Sequence, residues 1–123
     1  MTSKSLEKLS VDALVEQFIS MALAQDTALL HDETAKYNRL FDKMEHVKEQ
    51  LKGRGDDERR ALLPFLQHSN PHVRLKAAIA LLALEPQAAR AALQKIWEAK
   101  EFPQAADALG MLRAIDQGRY VPT

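Results

Sequence analysis

The chain has 123 residues, of which 46% are hydrophobic and 28% are charged, as is typical of a globular domain rather than a disordered segment. Basic and acidic residues number 17 each, so no net charge attracts nucleic acid or an acidic membrane surface. The absence of cysteine excludes disulfide bonds, thiolate catalysis and zinc sites built on sulfur. Because the chain shows neither an apolar leader nor a bilayer-length apolar run, we expect a soluble, cytoplasmic protein.

After a polar lead over residues 1–9, two amphipathic segments over residues 10–52 predict a helical hairpin. Ser10 is a favoured N-cap, and apolar residues then recur at steps of three and four. The phase of the pattern slips near Asp32, which we expect to begin the second helix. Lys52, Gly53 and Gly55 are expected to mark its end, because glycine readily takes the left-handed conformation there. The predicted apolar faces are Val11, Leu14, Val15, Phe18, Ala22 and Leu29, followed by Tyr37, Leu40, Phe41, Met44, Val47 and Leu51.

Two amides are expected to face each other across this hairpin. Both helices rise equally per residue, so positions equally far from the turn lie opposite, which pairs Gln25 with Asn38. An amide-to-amide or amide-to-backbone hydrogen bond between the helices is the main interpretation. A small-molecule or catalytic pocket near Gln25, Tyr37 and Asn38 is the alternative.

The second half of the chain follows a glycine-punctuated linker over residues 53–58. A short helix is expected next, capped by Asp56 or Asp57 and kinked or restarted near Leu63 by Pro64. We expect the chain to form one helical domain, with helix pairs over 59–117 and a short tail over 118–123.

A central helix is predicted from Asn70 to Leu84, because Asn70 is a favoured N-cap and Pro71 suits the first helical position. Its alanines and apolar residues lie on nearly every side, so it needs neighbours on both flanks. Glu85-Pro86 and Phe102-Pro103 then introduce two further helices, and Gly118 is expected to end the second of them.

Part of the central helix is repeated in the last helix: Ala77–Leu84 aligns without gaps on Ala105–Leu112. The run Leu62-Leu63-Pro64-Phe65-Leu66, the pair Val73-Arg74 and the block Ala77-Ala78-x-Ala80-Leu81 resemble a short HEAT-type repeat of phycobilisome-lyase-like proteins. The whole chain also resembles a small bacterial family of HEAT-like helical proteins. This resemblance implies an all-α superhelix, in which the hairpin caps a short stack of two HEAT-like helix pairs, and it implies no activity.

No catalytic, cofactor-binding or metal-binding constellation emerges from the sequence. His68 and His72 have the spacing of two metal ligands, but Asn70-Pro71 places a helix boundary between them. Arg74 and Lys76 are expected to pair with a carboxylate, either within the chain or on a partner. The candidate interaction or structural positions are Gln25, Asn38, Arg74, Lys76 and Trp97.

We therefore expect a non-catalytic protein-protein interaction module, since helical stacks present extended surfaces and no catalytic groups are evident. The expected partner is an unidentified protein or a second copy in a homodimer, with no nucleic acid and no membrane. Docking is expected at the C-terminal end, where residues 105–115 and Trp97 should expose apolar surface. A bacterial immunity protein that neutralises a toxin is a further alternative.

Overall fold

A computed structural model describes residues 3–123, and within that range every regular element is a helix. The all-α prediction is therefore confirmed. Contacts divide the chain into two compact units, Met1–Ala61 and Leu62–Thr123. The elements are α1 (Ser3–Leu6), α2 (Val11–Leu30), α3 (Thr34–Lys52), a 3₁₀ helix (Glu58–Gln67), α4 (Pro71–Leu81), α5 (Pro86–Glu98) and α6 (Gln104–Asp116). In the described part of the chain, no helix combines the length and the apolar character needed to cross a membrane.

Two helix starts form as their sequences predict. The Ser10 hydroxyl accepts a hydrogen bond from the amide of Ala13 at 3.1 Å and thus caps α2. Asn70 Oδ1 accepts from the amides of His72 at 2.8 Å and Val73 at 3.2 Å, with Pro71 in the first position of α4. Both caps satisfy amides that have no partner within the helix.

The turn between α2 and α3 differs from the prediction. Asp32 does not cap α3; it adopts φ 54° one residue beyond the α2 C-cap. The amide of Glu33 donates to the carbonyl of Ala28 at 2.9 Å, and the amide of Asp32 donates to that of Leu29 at 3.4 Å. This is a Schellman motif, in which aspartate tolerates the left-handed position usually taken by glycine. The cap of α3 is Glu33, whose side chain makes no capping hydrogen bond.

In the N-terminal unit, α2 packs along α3 and α1 contacts α3. The fully buried core includes Leu14, Ala22, Val47 and Leu51. Two residues of the predicted apolar faces are exposed instead, Leu29 by 38% and Phe41 by 43%. The buried stripe of α2 continues from Ala22 through Gln25 to Ala28, so Leu29 lies to one side of it. α3 ends at Lys52 as expected, with Gly53 as its C-cap at φ −80°, and the glycine with the left-handed conformation is Gly55, at φ 52°.

In the C-terminal unit, α5 packs against both α4 and α6. The core combines buried residues of all three helices, including Val73, Leu81, Leu93, Ile96 and Ala105. α4 ends at Leu81 rather than Leu84, since Glu85 precedes Pro86 and takes φ −131°, outside the helical region.

The segment around Pro64 is a ten-residue 3₁₀ helix, and not the kinked or restarted helix that the sequence predicts. Proline lacks the amide hydrogen that an α-helix needs, and its ring would clash with the carbonyl four residues earlier. In the more tightly wound 3₁₀ helix, hydrogen bonds join residues three apart, so the α-helical hydrogen bond that Pro64 cannot donate is not required.

The expected apolar exposure of α6 is wrong. Ala105, Ala108 and Leu112 are buried, because this face of α6 packs in the helical core of the C-terminal unit. The exposed positions are small or polar, namely Ala106, Asp107, Gly110 and Arg113. The expected end at Gly118 is confirmed: it adopts φ 71°, and the amide of Arg119 donates to the carbonyl of Ala114 at 2.8 Å.

Candidate functional site

The predicted polar position Gln25 lies entirely inside the N-terminal unit. Its side chain has no exposed surface, and its Nε2 donates to the carbonyl of Tyr37 at 3.3 Å. The amide-to-backbone bond thus links α2 to α3, whereas Asn38 is exposed on α3. A cavity of about 120 Å³ lies near Tyr37, but neither Gln25 nor Asn38 lines it. Gln25 therefore joins the two helices and presents no group to an outside ligand.

Two arginines of the N-terminal unit are also fully engaged. The Arg54 guanidinium donates to the carbonyls of Leu6 at 3.0 Å, Glu7 at 3.1 Å and Leu9, which ties the end of α1 to the end of α3. Arg59 is 5% exposed and forms a two-point ion pair with Asp57, at 2.9 Å from Nε to Oδ1 and 2.7 Å from Nη2 to Oδ2.

This hydrogen bonding by Arg59 lowers the pKa of Asp57 from its ordinary value.

Arg74, on α4, forms a two-point ion pair within the C-terminal unit. Its Nη1 lies 2.9 Å from Glu101 Oε1, and its Nη2 lies 2.8 Å from Oε2. The Schellman turn that ends α5, with Lys100 at φ 57°, places Glu101 there. Hydrogen bonding to Arg74 lowers the pKa of Glu101. Lys76, the other predicted cation of α4, is half-buried.

Trp97 is half-buried at the end of α5, where two neighbours contact its ring. Lys100 Nζ lies 3.4 Å from the ring centroid, a cation–π contact, and Phe102 meets the ring edge-on with centroids 6.4 Å apart. Phe102 itself is 60% exposed. The indole face is thus covered by its own chain.

A groove of about 430 Å³ in the C-terminal unit is partly open to solvent. We call it the α5 groove. It lies between the turn that follows the 3₁₀ helix and the outer face of α5. Its lining residues are Leu66, Gln67, His68, Ser69, Arg74, Ala88, Ala91, Ala92 and Lys95.

Several polar side chains that line the α5 groove make no hydrogen bond within the described chain. Within the described chain, the side chains of Gln67, Ser69 and Lys95 make no hydrogen bond or ion pair. His68 accepts the amide of Asn70 at its Nδ1, at 3.0 Å, so the neutral ring carries its hydrogen on Nε2. Its ring stacks on Phe65, with centroids 6.4 Å apart.

No carboxylate lines this groove. The α5 groove therefore offers four donor side chains around an alanine floor.

Comparison with known proteins places the whole fold in one family. The model of a family described as a domain of unknown function, DUF2019, matches residues 12–116. The chain belongs to this family. A crystal structure of the protein RPA1889 from Rhodopseudomonas palustris CGA009 is similar to it, with 39% sequence identity, a TM-score of 0.93, and coverage of 96% of this chain and 98% of that one. A search of curated proteins finds no match.

Sequence reasoning did not find the groove of this DUF2019 domain. The apolar residues Leu93 and Ile96 mark the core face of α5, and helical periodicity assigns no role to its opposite face. A signal was present, since Ala88, Ala91 and Lys95 recur at steps of three and four and share one helix face. That face could not be linked to His68 without knowledge of where the turn before α4 lies.

The four histidines of the DUF2019 domain differ in burial and do not form a common site. His72 is fully buried, with its Nδ1 3.2 Å from Gln104 Nε2, while His31 and His46 are exposed. Among the described residues, no three histidine, cysteine, aspartate or glutamate side chains cluster as a metal site would require.

Proposed function

We propose that this DUF2019 domain is a non-catalytic protein-interaction module whose partner binds in the α5 groove. The observation that carries the proposal is the set of unengaged donor side chains around the alanine floor of this groove. Several buried or half-buried donors of the N-terminal unit are bonded within the chain, as Gln25, Arg54 and Arg59 illustrate. Donors that have no partner within the chain are available to a partner outside it.

The shape of the groove favours a polypeptide over a small molecule. Small-molecule sites enclose most of the ligand surface, whereas the α5 groove is partly open to solvent. Ala88, Ala91 and Ala92 keep its floor shallow and apolar, so a backbone can approach closely. Such a floor with polar groups at its margin resembles the grooves in which peptide segments dock.

The packing of α4, α5 and α6 also supports a finer assignment of the fold. We propose that the C-terminal unit is a short HEAT-like repeat array, in which Ala77 and Ala105 occupy equivalent buried positions, as do Ala80 and Ala108. Repeat arrays of helices commonly bind proteins through a surface left uncovered by the stack. Toxin neutralisation by an immunity protein would be one case of this binding function.

The alternative of a ligand pocket near Gln25, Tyr37 and Asn38 has less support. The Gln25 amide is already bonded to the backbone of Tyr37, and it lies outside the small cavity beside that residue. A second copy of the chain remains a candidate partner for the α5 groove, and the same variants test it.

Two matched tryptophan variants test the proposal. Ala91→Trp fills the α5 groove, whereas Ala106→Trp places the same bulk on an exposed position of α6 outside it. Tagged wild type and both variants are used to capture proteins from cells of the source organism, with quantitative mass spectrometry as the readout. We expect at least one protein to be depleted about tenfold by Ala91→Trp and retained by Ala106→Trp, equivalent to about 1.4 kcal/mol of binding free energy.

The captured protein is then purified and its binding measured by calorimetry, while light scattering follows self-association of the same three chains. Equal binding by wild type and both variants would contradict the proposal. If the partner is a second copy, Ala91→Trp reduces the dimer fraction and Ala106→Trp leaves it unchanged. Circular dichroism spectra that match wild type confirm that both variants are folded.

A further inference from the structure

We infer that the segment bound in the α5 groove is acidic, and that its aspartate or glutamate carboxylates accept hydrogen bonds from Lys95 and from the turn residues opposite. The inference rests on the proposed function and adds the chemistry of the partner. It follows from the charges that line the groove and from the ion pair at its edge.

The only unneutralised full charge lining the groove is the Lys95 ammonium. Lys95 is exposed on α5 and has no carboxylate partner among the described residues. Arg74 also lines the groove, but both of its terminal nitrogens are bonded to Glu101. A carboxylate that enters the groove therefore meets a free cation and displaces no acidic group of the lining.

The neutral donors lie on the other side of the same groove. His68 presents an Nε2–H because its Nδ1 accepts from the amide of Asn70, and the Ser69 hydroxyl and Gln67 amide make no bond of their own. Lys95 and the Nε2–H of His68 can only donate, whereas the Gln67 amide and the Ser69 hydroxyl can donate or accept, so the free ammonium group favours an anionic acceptor over a cationic or purely apolar group. A segment lying on the alanine floor can receive donors from α5 on one side and from the turn on the other.

Nucleic acid fits these observations less well than an acidic peptide. The chain carries equal numbers of basic and acidic residues, and the only aromatic ring in the groove lining, the His68 imidazole, is already stacked on Phe65. A single free cation flanked by neutral donors suits one or two carboxylates, whereas a phosphate backbone is usually bound by several cations.

Selection of short random peptides displayed on phage tests this chemistry. The baits are wild type, Lys95→Glu and Lys43→Glu, the last being a matched charge reversal at an exposed lysine of α3. We expect wild type and Lys43→Glu to enrich peptides rich in aspartate and glutamate. Lys95→Glu should bind those same peptides about tenfold or more weakly, since an attraction becomes a repulsion in the groove lining.

A gain of affinity is expected from Glu101→Gln. This variant removes the carboxylate that neutralises Arg74 and leaves that guanidinium free at the edge of the groove. The selected acidic peptides, synthesised and titrated by fluorescence anisotropy, should bind Glu101→Gln about two- to fivefold more tightly than wild type. Unchanged or weaker binding would count against the placement of carboxylates beside Arg74.

The remaining outcomes separate this inference from the proposed function. Peptides that enrich without acidic residues and lose binding in Ala91→Trp would overturn the acidic chemistry while retaining the groove as a docking site. Acidic peptides insensitive to both Ala91→Trp and Lys95→Glu would overturn the groove itself. Free glutarate or inorganic phosphate that shifts the NMR signals of the groove as tightly as the peptides would show a small-anion site, and no enriched peptide at all would overturn the inference.

Discussion

The two compact units of this chain differ in where their singled-out polar side chains lie and in what these side chains contact. In the N-terminal unit, the buried Gln25 amide is bonded to Tyr37, Arg54 is bonded to three carbonyls, and Arg59 is held by Asp57. In the C-terminal unit, Lys95 and His68 line an open groove. The Nζ of Lys95 and the Nε2 of His68 have no hydrogen-bond partner in the described chain. Both units are all-helical and have well-buried cores.

Under the proposed function, this difference favours the C-terminal unit as the binding unit. A polar group bonded inside its own fold contributes to stability and specificity of the helix pairing, whereas an unengaged donor at the edge of a groove contributes little until a partner arrives. In the N-terminal hairpin, Gln25 is one such structural polar group, whereas the buried Oε1 of Gln17 has no hydrogen-bond partner among the described residues. The C-terminal unit has a buried core and also a groove whose side chains Gln67, Ser69 and Lys95 make no hydrogen bond within the described chain.

The largest expected change in the free energy of unfolding comes from a cavity in the core of the C-terminal unit. Leu81 has no exposed surface within this unit, so Leu81→Ala should lower the free energy of unfolding by about 2–5 kcal/mol. Urea denaturation followed by circular dichroism measures the change. Leu30→Ala is the control, because Leu30 is 78% exposed and should change stability by less than about 0.5 kcal/mol. An unaltered midpoint in Leu81→Ala would show that the core lies elsewhere.

A smaller loss is expected when the closed polar contact of the N-terminal unit is removed. Gln25→Ala deletes the amide that donates to Tyr37 and should cost about 1–3 kcal/mol, through the lost bond and the cavity that remains. Asn38→Ala alters an exposed amide of the same hairpin and should change the free energy of unfolding by less than about 0.5 kcal/mol. An equal loss of unfolding free energy in the two variants would show that the buried Gln25 amide stabilises the hairpin no more than the exposed Asn38 amide does.

The parts of this fold that sequence predicts well are those governed by local chemistry. Ser10, Asn70 and Gly118 act where expected, because capping depends on a few neighbouring backbone groups. Asp32 was mistaken for an N-cap, since aspartate suits both an N-cap and a left-handed turn, and only the hydrogen bonds of the turn decide between them. The 3₁₀ winding around Pro64 likewise depends on packing that local propensity does not fix.

The candidate site was less predictable for a different reason. The sequence predicts that Arg74 pairs with a carboxylate but does not identify Glu101 as the partner, because Glu101 lies across a turn whose geometry depends on the fold. The groove depends on bringing His68 and Lys95 together from distant positions in the chain. Helical periodicity shows which residues share a face, and it does not show which faces lie next to one another.

The ion pair between Arg74 and Glu101 combines both kinds of polar group. Arg74 lines the groove, and its guanidinium is bonded to a carboxylate of its own unit. Glu101→Gln should lower the free energy of unfolding by about 1 kcal/mol at neutral pH, a modest value because the side chains are 18% and 30% exposed. Glu98→Gln, at an exposed position of α5 without an ion-pair partner in the described chain, is the matched control and should leave stability nearly unchanged.

The pH dependence of this difference identifies its electrostatic origin. Hydrogen bonding to Arg74 places the pKa of Glu101 in the folded state below its ordinary value of 4.5. The stabilisation is therefore complete above about pH 4.5 and is lost as the pH falls through the lower, folded-state pKa, because protonation removes the charge that Arg74 binds. Urea denaturation of wild type and Glu101→Gln at a series of pH values should show stability curves that converge in acid, since carboxylates common to both chains cancel in the difference. A gap of constant size from neutral pH into strong acid would mean that Glu101 stabilises the turn through packing, and that Arg74 is not held by charge.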